Sequence, residues 1–361
     1  MRFLSYVPFV RAVRWKPCAR GAATAARLLV VVVVAMLVWH GMLSVIYVPK
    51  LVSDARNVSG YFHIPVRMLR GDGLHFILDH PQTCGGGRRL HVVALIVSAP
   101  RNHANRDTIR ATWGAALRRR HGDDDPSAFL FVLGDPRNAS LQAALADEDR
   151  RHGDLIQADF IDSYFNMTLK HLVALRWAVR RCRGDVSFVL KTDDDVVVNT
   201  HRLLPYLSSL PATDEALLCY VNKNPRVFRD ETKWRISRAL YAAATYPDYC
   251  AGPAYVVTPR VAARLFDATL AIRPMFVDDV LVSGIARLHA GVRLMRAPYQ
   301  LRPADFTMWE PDPLATFARA AEDGGALPMF GALQGYAGDN KTDVMRAIWD
   351  VIEATQRRRR G

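Results

Sequence analysis

Three consecutive carboxylates interrupt an apolar run near the middle of this 361-residue chain. Residues 188–199 read FVLKTDDDVVVN, so Asp193, Asp194 and Asp195 follow a pattern typical of a buried β-strand. Adjacent carboxylates repel one another unless a cation lies beside them, and hard oxygen ligands suit Mg²⁺ or Mn²⁺, which commonly also bind substrate phosphates. The residues alone leave two alternatives open, a metal and phosphate site or a solvated acidic turn.

A second acidic pair, Asp278 and Asp279, precedes the apolar helical segment VLVSGIARL. A single carboxylate is enough to act as a general base that removes the proton of a hydroxyl group. Acidic side chains also cap the N-termini of helices, where they accept hydrogen bonds from the backbone. Catalysis and helix capping are therefore both compatible with this pair.

Apolar runs alternate with helical patterns from residue 91 to residue 199. The strand-like runs are 91–99, 128–134, 154–160 and 187–199, and the helical patterns between them are 106–117, 141–152 and 168–182. This βαβ series predicts an α/β domain in which helices cover a largely parallel sheet and ligands bind at the carboxyl ends of the strands. The three carboxylates would then lie at the ligand-binding edge of the sheet.

The N-terminal region predicts a membrane anchor. Residues 28–48 contain no Asp, Glu, Lys or Arg, and 21 residues are long enough to cross a hydrocarbon core of ~30 Å. Because the basic residues of 1–27 all precede this span, we expect a cytosolic tail, a single transmembrane signal anchor and a lumenal remainder, the type II topology. A cleaved signal peptide, the alternative, has a shorter apolar stretch.

The charge distribution argues against a nucleic-acid partner. The formal net charge is +13, but the excess is concentrated in residues 1–27 and in the arginines at 357–360 rather than on the body of the chain. Residues 49–88 mix Pro, Gly and charge without periodicity and are predicted to form a stem. The catalytic domain is expected at 89–356, followed by a solvated basic tail at 357–361.

Cysteines and glycosylation signals agree with a lumenal body. An even number of cysteines follows the predicted anchor and suits two disulfides, for which three pairings are possible: Cys84, Cys182, Cys219 and Cys250. There is no CxxC pair, so a zinc site is not expected. Four acceptor sequons for N-glycosylation lie on the same side, at Asn57, Asn138, Asn166 and Asn340.

Six ordered motifs between residues 88 and 300 resemble those of the β-1,3-galactosyltransferase family (glycosyltransferase family 31). They are 106–113 (RDTIRATW), 131–134 (FVLG), 159–170 (DFIDSYFNMTLK), 191–195 (KTDDD), 246–252 (YPDYCAG) and 278–280 (DDV). The resemblance implies a GT-A nucleotide-sugar fold, which is Rossmann-like, in a Golgi membrane protein of type II topology. It also implies a UDP-sugar donor and a divalent metal, usually manganese.

The resemblance also suggests roles for individual residues. Asp195 would bind Mn²⁺, and Asp193 would contribute to the metal site or meet the ribose. The other predicted donor-binding residues follow the first strand or belong to the acidic turn: Ser98, Arg101, Arg106, Arg110, Lys191 and Asp194. Arg110 could equally be an ordinary residue of a helix surface.

The acidic pair acquires a catalytic role from the same resemblance. Transfer from an α-linked UDP-sugar to a β-linkage inverts the anomeric carbon, so a base must act on the face opposite UDP. We predict Asp279 as that base, with Asp278 holding sugar hydroxyls. Relative to the family pattern Ser283 is an extra residue, and 298–305 lacks the histidine that family members use as a further metal ligand, for which Gln300 or Asp305 are the candidate replacements.

The activity expected from the sequence is a β-1,3-galactosyltransferase that moves galactose from UDP-galactose to the 3-hydroxyl of N-acetylglucosamine or galactose on a glycoprotein or glycolipid. The alternatives are transfer of N-acetylglucosamine or N-acetylgalactosamine, and a catalytically silent Golgi relative that binds sugar. Homo-oligomerisation is left open. We expect disulfides between Cys84 and Cys182 and between Cys219 and Cys250, with Cys18 reduced.

Overall fold

The protein is described by a computed structural model, which covers residues 73–84, 89–119, 126–182, 184–210, 215, 217–230, 232–294, 301–308, 310–334, 336 and 338–361. The predicted anchor at 28–48, most of the predicted stem, the sequon at Asn57 and Cys18 lie outside these residues. Among the helices that the structure describes, none is long and apolar enough to cross a membrane.

The chain alternates strands and helices in the order that the sequence predicts. The strands are β1 (Phe76–Leu78), β2 (Leu90–Val97), β3 (Ala128–Asp135), β4 (Leu155–Ile161), β5 (Val186–Asp193), β6 (Val196–Val198), β7 (Leu217–Asn222), β8 (Tyr249–Val257) and β9 (Phe330–Ala332). The helices are α1 (His103–Ala111), α2 (Trp113–Arg118), α3 (Ala139–His152), α4 (Met167–Arg181), α5 (Thr200–Ser208), α6 (Pro259–Thr269), a π-helix (Val280–Ala286), α7 (Arg287–His289), α8 (Pro313–Glu322) and α9 (Lys341–Arg360).

A seven-stranded sheet in the order β1-β4-β3-β2-β5-β8-β7 forms the centre of the fold. The four strands β4, β3, β2 and β5 are parallel, whereas β1, β8 and β7 pair antiparallel. Val97 at the end of β2 pairs with Asp193 at the end of β5, so both strands stop at the same edge. The predicted α/β class with a parallel-rich sheet is confirmed, and the acidic turn lies at the carboxyl edge.

The apolar strands form because both faces of the sheet are covered. All eight residues of β2 are buried, and successive side chains alternate between two core clusters. One cluster includes residues of α1, α2 and α9, and the other includes residues of α4 and α6. Burying a side chain such as Ile96 or Leu95 contributes ~1.5 to 3 kcal/mol, which holds the strand ends in place under the site.

The boundary between stem and catalytic domain lies further toward the N-terminus than the sequence predicts. Residues 73–84, assigned to the stem, belong to the folded domain: β1 pairs with β4, and Leu74 is buried. Trp177 donates a hydrogen bond from Nε1 to Asp79, at 2.7 Å. The prediction failed because the ordering contacts of this segment come from distant residues and leave no local periodicity.

Both predicted disulfides are confirmed. Cys84 is bonded to Cys182 at the end of α4, across 98 residues of sequence, and Cys219 on β7 is bonded to Cys250 on the adjacent β8. The first bond ties the segment 73–84 to the body of the domain. The second joins two adjacent antiparallel strands of the sheet.

The C-terminal arginines do not form a separate tail. Helix α9 continues through Arg360, and its apolar face, which includes Ile348 and Ile352, is part of the core. Arg359 donates from Nη2 to the carbonyl oxygen of Gly325, at 2.9 Å. The predicted domain end at residue 356 is therefore too early, because the last turn of the helix carries the arginines.

Candidate active site

A cavity of about 890 Å³ opens at the carboxyl edge of the sheet. Its wall contains the acidic turn after β5, and it also contains Asp278 and Asp279 at the start of the π-helix. The structure therefore brings together the two acidic motifs that the sequence singled out some 80 residues apart. Segments outside those motifs complete the wall, notably 225–230 and three residues of the C-terminal part, Met308, Gln334 and Lys341.

Asp193 and Lys191 form a buried ion pair at the centre of this wall. Both project from the same face of β5, and Lys191 Nζ donates to Asp193 Oδ1 and to the carbonyl oxygen of Gly252, each at 2.7 Å. Burial raises the pKa of Asp193 to about 7, with Asp195 and Asp278 adding to the rise and Lys191 opposing it. Burial and the neighbouring carboxylates together therefore outweigh the ion pair with Lys191.

Asp194 differs from its two neighbours because its carboxylate forms structural hydrogen bonds within the protein. Its carboxylate accepts hydrogen bonds from Ser98 Oγ at 2.6 Å and from Asn102 Nδ2 at 3.0 Å. These bonds connect the acidic turn to the loop that follows β2. Ser98 and Asp194 both line the cavity, as the sequence predicts for donor-binding residues, but the Asp194 oxygens are already engaged by the protein.

Asp195 is paired with a lysine that the sequence analysis did not identify. Lys341 Nζ, at the first position of α9, lies 3.1 Å from Asp195 Oδ2. A second residue from the C-terminal part, Gln334, donates from Nε2 to Asp193 Oδ2 at 3.1 Å. No motif marks either residue, because their approach to the acidic turn depends on the packing of α9.

Asp278 is held from behind by a buried histidine and tyrosine. His171 Nδ1 donates to Asp278 Oδ2 at 2.8 Å, and His171 Nε2 accepts from the Tyr255 hydroxyl. Burial lowers the pKa of His171, so the ring is neutral and this tautomer satisfies both nitrogens. Burial alone would raise the pKa of Asp278, but the His171 hydrogen bond and the charge of Lys191 hold it below its ordinary value.

Asp279 has the opposite electrostatic character. Burial raises its pKa to about 7, and the neighbouring negative charge of Asp278 adds to the rise. Its Oδ1 accepts from the backbone N–H of Val280 at 2.8 Å, so the residue also caps the π-helix. The two interpretations of the acidic pair are thus compatible in this one residue: a helix cap whose carboxyl group lines the cavity and changes protonation near neutral pH.

The extra residue Ser283 is accommodated by the π-helix Val280–Ala286. A π-turn closes its hydrogen bond over five residues instead of four, so it holds one more residue per ring. Ser283 Oγ donates to the carbonyl oxygen of Asp279 at 2.7 Å and accepts from the backbone N–H of Cys250 at 2.9 Å. The buried serine therefore anchors the turn that carries Asp279 to β8.

Arg101, Arg106 and Arg110 do not line the cavity, and these predictions need correction. Arg106 is fully buried and pairs with Glu148 through Nε and Nη2 at 2.7 and 2.6 Å. Arg110 pairs with Glu148 and with Asp154, each at 2.7 Å. Both guanidinium groups form ion pairs with carboxylates in or just after α3. They therefore lie behind the cavity wall.

Arg101 is exposed on the turn after β2. Asp305, one of the two candidate replacements for the missing histidine ligand, is buried and pairs with Arg202 at 2.6 Å outside the cavity wall. Gln300, the other candidate, lies outside the described residues. The ion pair of Arg202 and Asp305 therefore stabilises the C-terminal part of the fold.

Aromatic side chains form another part of the cavity wall: Tyr164, Phe228, Trp234, Tyr246, Tyr249 and Phe276. The Tyr246 hydroxyl is buried, and among the described residues it has no hydrogen-bond partner. Burial raises the pKa values of Tyr164 and Tyr246 to about 12, so both phenols stay protonated. Aromatic faces with nearby hydroxyl donors suit a sugar ring, which has apolar C–H faces and a polar edge.

The acidic turn fits a divalent cation because it offers carboxylate oxygen atoms. No cluster of three or more His, Cys, Asp or Glu residues arranged to hold a metal ion occurs in the part of the chain that the structure describes. The wall offers Asp195 and Asp193 instead, and one or two carboxylates together with substrate phosphates are the usual set for Mg²⁺ or Mn²⁺. Burial is the main cause of the raised pKa of Asp193, and the negative charges of Asp195 and Asp278, which a cation would offset, add to it.

Comparison with known proteins identifies the family. The family model described as "Galactosyltransferase" matches residues 104–298, which is more than half of the chain. This chain belongs to the Galactosyltransferase family. The predicted resemblance is therefore confirmed, and the family is one of β-1,3-glycosyltransferases. The match includes β5, the acidic turn and the π-helix, but it ends before Gln334 and Lys341.

Three relatives of this chain are named as N-acetylglucosaminyltransferases. The human lactosylceramide 1,3-N-acetyl-beta-D-glucosaminyltransferase is 33% identical over 59% of this chain and 57% of its own length. A rat UDP-GlcNAc:betaGal beta-1,3-N-acetylglucosaminyltransferase 7 is 34% identical over 57% and 52%. A Xenopus laevis lactosylceramide transferase of the same description is 35% identical over 63% and 62%. The chain thus spans somewhat more than half the length of these relatives.

Proposed function

We propose that this family member transfers N-acetylglucosamine from UDP-N-acetylglucosamine to the 3-hydroxyl of a β-linked galactose, with inversion at the anomeric carbon. The observation that carries the proposal is that the acidic turn and the unequal pair Asp278 and Asp279 line the same cavity. The names of the relatives favour this donor over galactose, which the sequence motifs alone suggested. UDP-galactose remains the second candidate donor.

The proposed reaction assigns a proton acceptor to this chain. The acceptor 3-hydroxyl oxygen forms a bond to the anomeric carbon of the donor while the bond from that carbon to the diphosphate breaks. The hydroxyl proton moves to the Asp279 carboxylate, and the electron pair of the broken bond leaves with UDP. Asp278, held by His171, remains charged and accepts hydrogen bonds from sugar hydroxyls.

The donor end would hold the diphosphate at the acidic turn. A divalent cation, proposed to be Mn²⁺, would be held by Asp195 with Asp193 and would offset the negative charge that develops on the departing diphosphate. Ser98 presents its side chain at the same wall. We propose that the domain is a GT-A fold anchored in the Golgi membrane by residues 28–48, with the cavity in the lumen.

The aromatic part of the cavity wall would bind the acceptor. The Tyr246 hydroxyl needs a hydrogen-bond partner, and a galactose hydroxyl would supply one. Trp234 lies beneath Lys233, whose ammonium is 4.7 Å from the ring centroid, so this part of the wall is both aromatic and cationic. A terminal β-galactoside of a glycolipid or glycoprotein is the acceptor class that we propose.

The proposal is tested by measuring UDP release from the purified full chain with a panel of UDP-sugars and with β-galactosides or N-acetylglucosaminides as acceptors. We expect the highest rate with UDP-N-acetylglucosamine and a β-galactoside in the presence of Mn²⁺. A higher rate with UDP-galactose and an N-acetylglucosaminide would favour the second candidate. Binding of UDP without transfer to any acceptor would point to a silent, sugar-binding relative.

Two substitutions separate chemistry from donor binding. Asp279→Asn should reduce turnover ~100-fold or more and leave UDP affinity within a few-fold, because a base acts on the acceptor proton. Asp195→Ala should weaken UDP binding itself. Calorimetry with UDP and Mn²⁺ beside turnover assays distinguishes the two. Near-normal turnover of both Asp279→Asn and Asp278→Asn would show that the pair is only a helix cap.

A further inference from the structure

Lys341 brings a positive charge to the donor end of the cavity from outside the family-matched region. It lines the cavity beside the acidic turn, and its ammonium lies 3.1 Å from Asp195 Oδ2. The family match ends at residue 298, so the position belongs to the C-terminal part of the chain that the motifs do not cover. Neither charge patterning nor spacing assigns it a role.

The environment of Lys341 differs from that of the other lysines near the acidic turn. Lys191 donates to the Gly252 carbonyl oxygen and Lys170 to the Ser98 carbonyl oxygen, each at 2.7 Å, and their side chains are 3% exposed. Lys341 is 36% exposed, and in the described part of the chain no backbone carbonyl accepts from it. Its long side chain can therefore change partner without breaking a contact that the fold requires.

The position is also electrostatically unfavourable for the helix that carries it. Lys341 is the first residue of the 20-residue α9, where the helix dipole presents its positive end. A lysine there weakens the helix slightly, while acidic residues are the stabilising choice. Helix stability therefore does not explain a lysine at this position, whereas an anionic ligand in the cavity would.

We propose that Lys341 binds the diphosphate of the donor nucleotide. A cation held by Asp195 would repel the ammonium from that carboxylate, and phosphate oxygens bound at the same turn would offer it a new anionic partner. An ammonium at that place stabilises the charge on the leaving UDP together with the cation. This inference rests on the proposed function and deepens it by one donor-binding residue.

The test compares nucleotide binding by the full chain and its variants. Calorimetry with UDP at saturating Mn²⁺ should show an affinity at least ~10-fold lower for Lys341→Ala than for the wild type, the order expected for losing a charge-assisted hydrogen bond. Binding of uridine, followed by ligand-observed NMR, should not change, because uridine lacks phosphate. Lys341→Arg should keep UDP affinity within ~3-fold, since a cation is retained.

A matched control lies on the same helix. Arg346 is a half-exposed residue of α9 that pairs with Asp343 and does not line the cavity, so Arg346→Ala removes one positive charge without touching the site. We expect wild-type UDP affinity for this variant. An equal loss of affinity in Arg346→Ala and Lys341→Ala would mean that only the overall charge matters, and the inference would be wrong.

The remaining outcomes separate this inference from the proposed function. If Lys341→Ala binds UDP like the wild type but binds Mn²⁺ more tightly, measured by electron paramagnetic resonance, Lys341 is only a counter-ion of Asp195. In that case the inference fails and the proposed function stands. If the wild-type chain binds no UDP with any divalent metal, the proposed function itself fails. Thermal melting of each variant checks that the fold is retained.

Discussion

Asp278 and Asp279 are adjacent carboxylates with opposite electrostatic environments. Asp278 receives a hydrogen bond from His171, which favours its charged form, whereas Asp279 meets the negative charge of Asp278 within a buried wall. Environments that shift two carboxyl groups in opposite directions typically divide catalytic roles between them. The permanently charged member suits substrate positioning, and the member that titrates near neutrality suits proton transfer.

The pH dependence of the reaction follows from the Asp279 pKa of about 7. The base must be deprotonated, so kcat/KM should rise with pH, fall about tenfold per unit below pH ~7 and level off above it. The measurement is a profile of kcat/KM, which reports the free enzyme, between pH 5 and pH 9. Asp230→Asn, which removes an exposed carboxylate from the same cavity, should keep the midpoint. A rate that stays constant down to pH 5 would exclude Asp279 as the base.

The junction between β8 and the π-helix positions Asp279, the proposed base. A Cβ atom placed on Gly252 would lie 3.1 Å from Asp279 Oδ2 and 3.5 Å from Asp279 Cβ, so a side chain here would require the Asp279 carboxylate to move by a few tenths of an ångström. The Gly252 carbonyl oxygen also holds Lys191. A glycine at this point therefore lets the strand approach the Asp279 carboxylate. Its backbone carbonyl group positions Lys191 at the same time.

Gly252→Ala should displace the Asp279 carboxylate by a few tenths of an ångström while leaving the fold intact, because the added methyl group would otherwise lie too close to Oδ2. We expect turnover to fall ~10-fold or more and UDP affinity to change little. The control is Gly324→Ala, where no atom lies within 4 Å but φ is positive, so only stability should decrease. Unchanged turnover in Gly252→Ala would contradict the proposed position of the base.

Helices α1 and α3 are joined by the ion pair of Arg106 and Glu148. Arg106→Ala removes a fully buried cation and leaves Glu148 with Arg110 as its remaining partner. We expect the free energy of unfolding to fall by ~3 kcal/mol in urea denaturation, the order found when one member of a buried pair is removed. Arg101→Ala, an exposed neighbour, should change neither stability nor UDP affinity. Weaker UDP binding by Arg106→Ala at full stability would restore the donor-contact role that the sequence suggested.

Two segments that no family motif covers complete the fold, and the C-terminal one also reaches the cavity. The C-terminal part contributes Phe317, Ile348 and Trp349 to the core cluster on one side of the sheet, and it places Gln334 and Lys341 at the acidic turn. The segment 73–84 covers the other end of the sheet through β1. Cavity and core are therefore built together, and truncation at either predicted boundary would remove structural residues.

The disulfide between Cys84 and Cys182 holds the N-terminal segment to the domain. It closes a loop across 98 residues, compared with 31 for Cys219 and Cys250. Chain-entropy arguments give ~4.7 kcal/mol for a loop of about 100 residues as an upper value, and less for the shorter loop. The double variant Cys84→Ser, Cys182→Ser should therefore lose more stability in denaturation experiments than Cys219→Ser, Cys250→Ser. The reverse order would show that local strain or residual structure outweighs loop length.

The sequence by itself determined the parallel-rich α/β core, the acidic turn at the end of β5 and the family. Strand and helix periodicity depend on near neighbours in the chain, and the ordered motifs preserve spacing, so both can be found without coordinates. The motifs also contain four residues that were predicted as site residues: Asp193, Asp195, Asp278 and Asp279.

Only the tertiary structure decided which partner each charged group has. Arg106 and Arg110 follow the same strand as Ser98, yet the first two face Glu148 and Asp154 while Ser98 faces the cavity, a choice made by the packing of α3. His171 reaches Asp278 across 107 residues, and Lys341 reaches Asp195 across 146. Pairings over such separations depend on how helices pack against the sheet, because side-chain direction and burial are properties of the assembled core and leave no periodic signal in the chain.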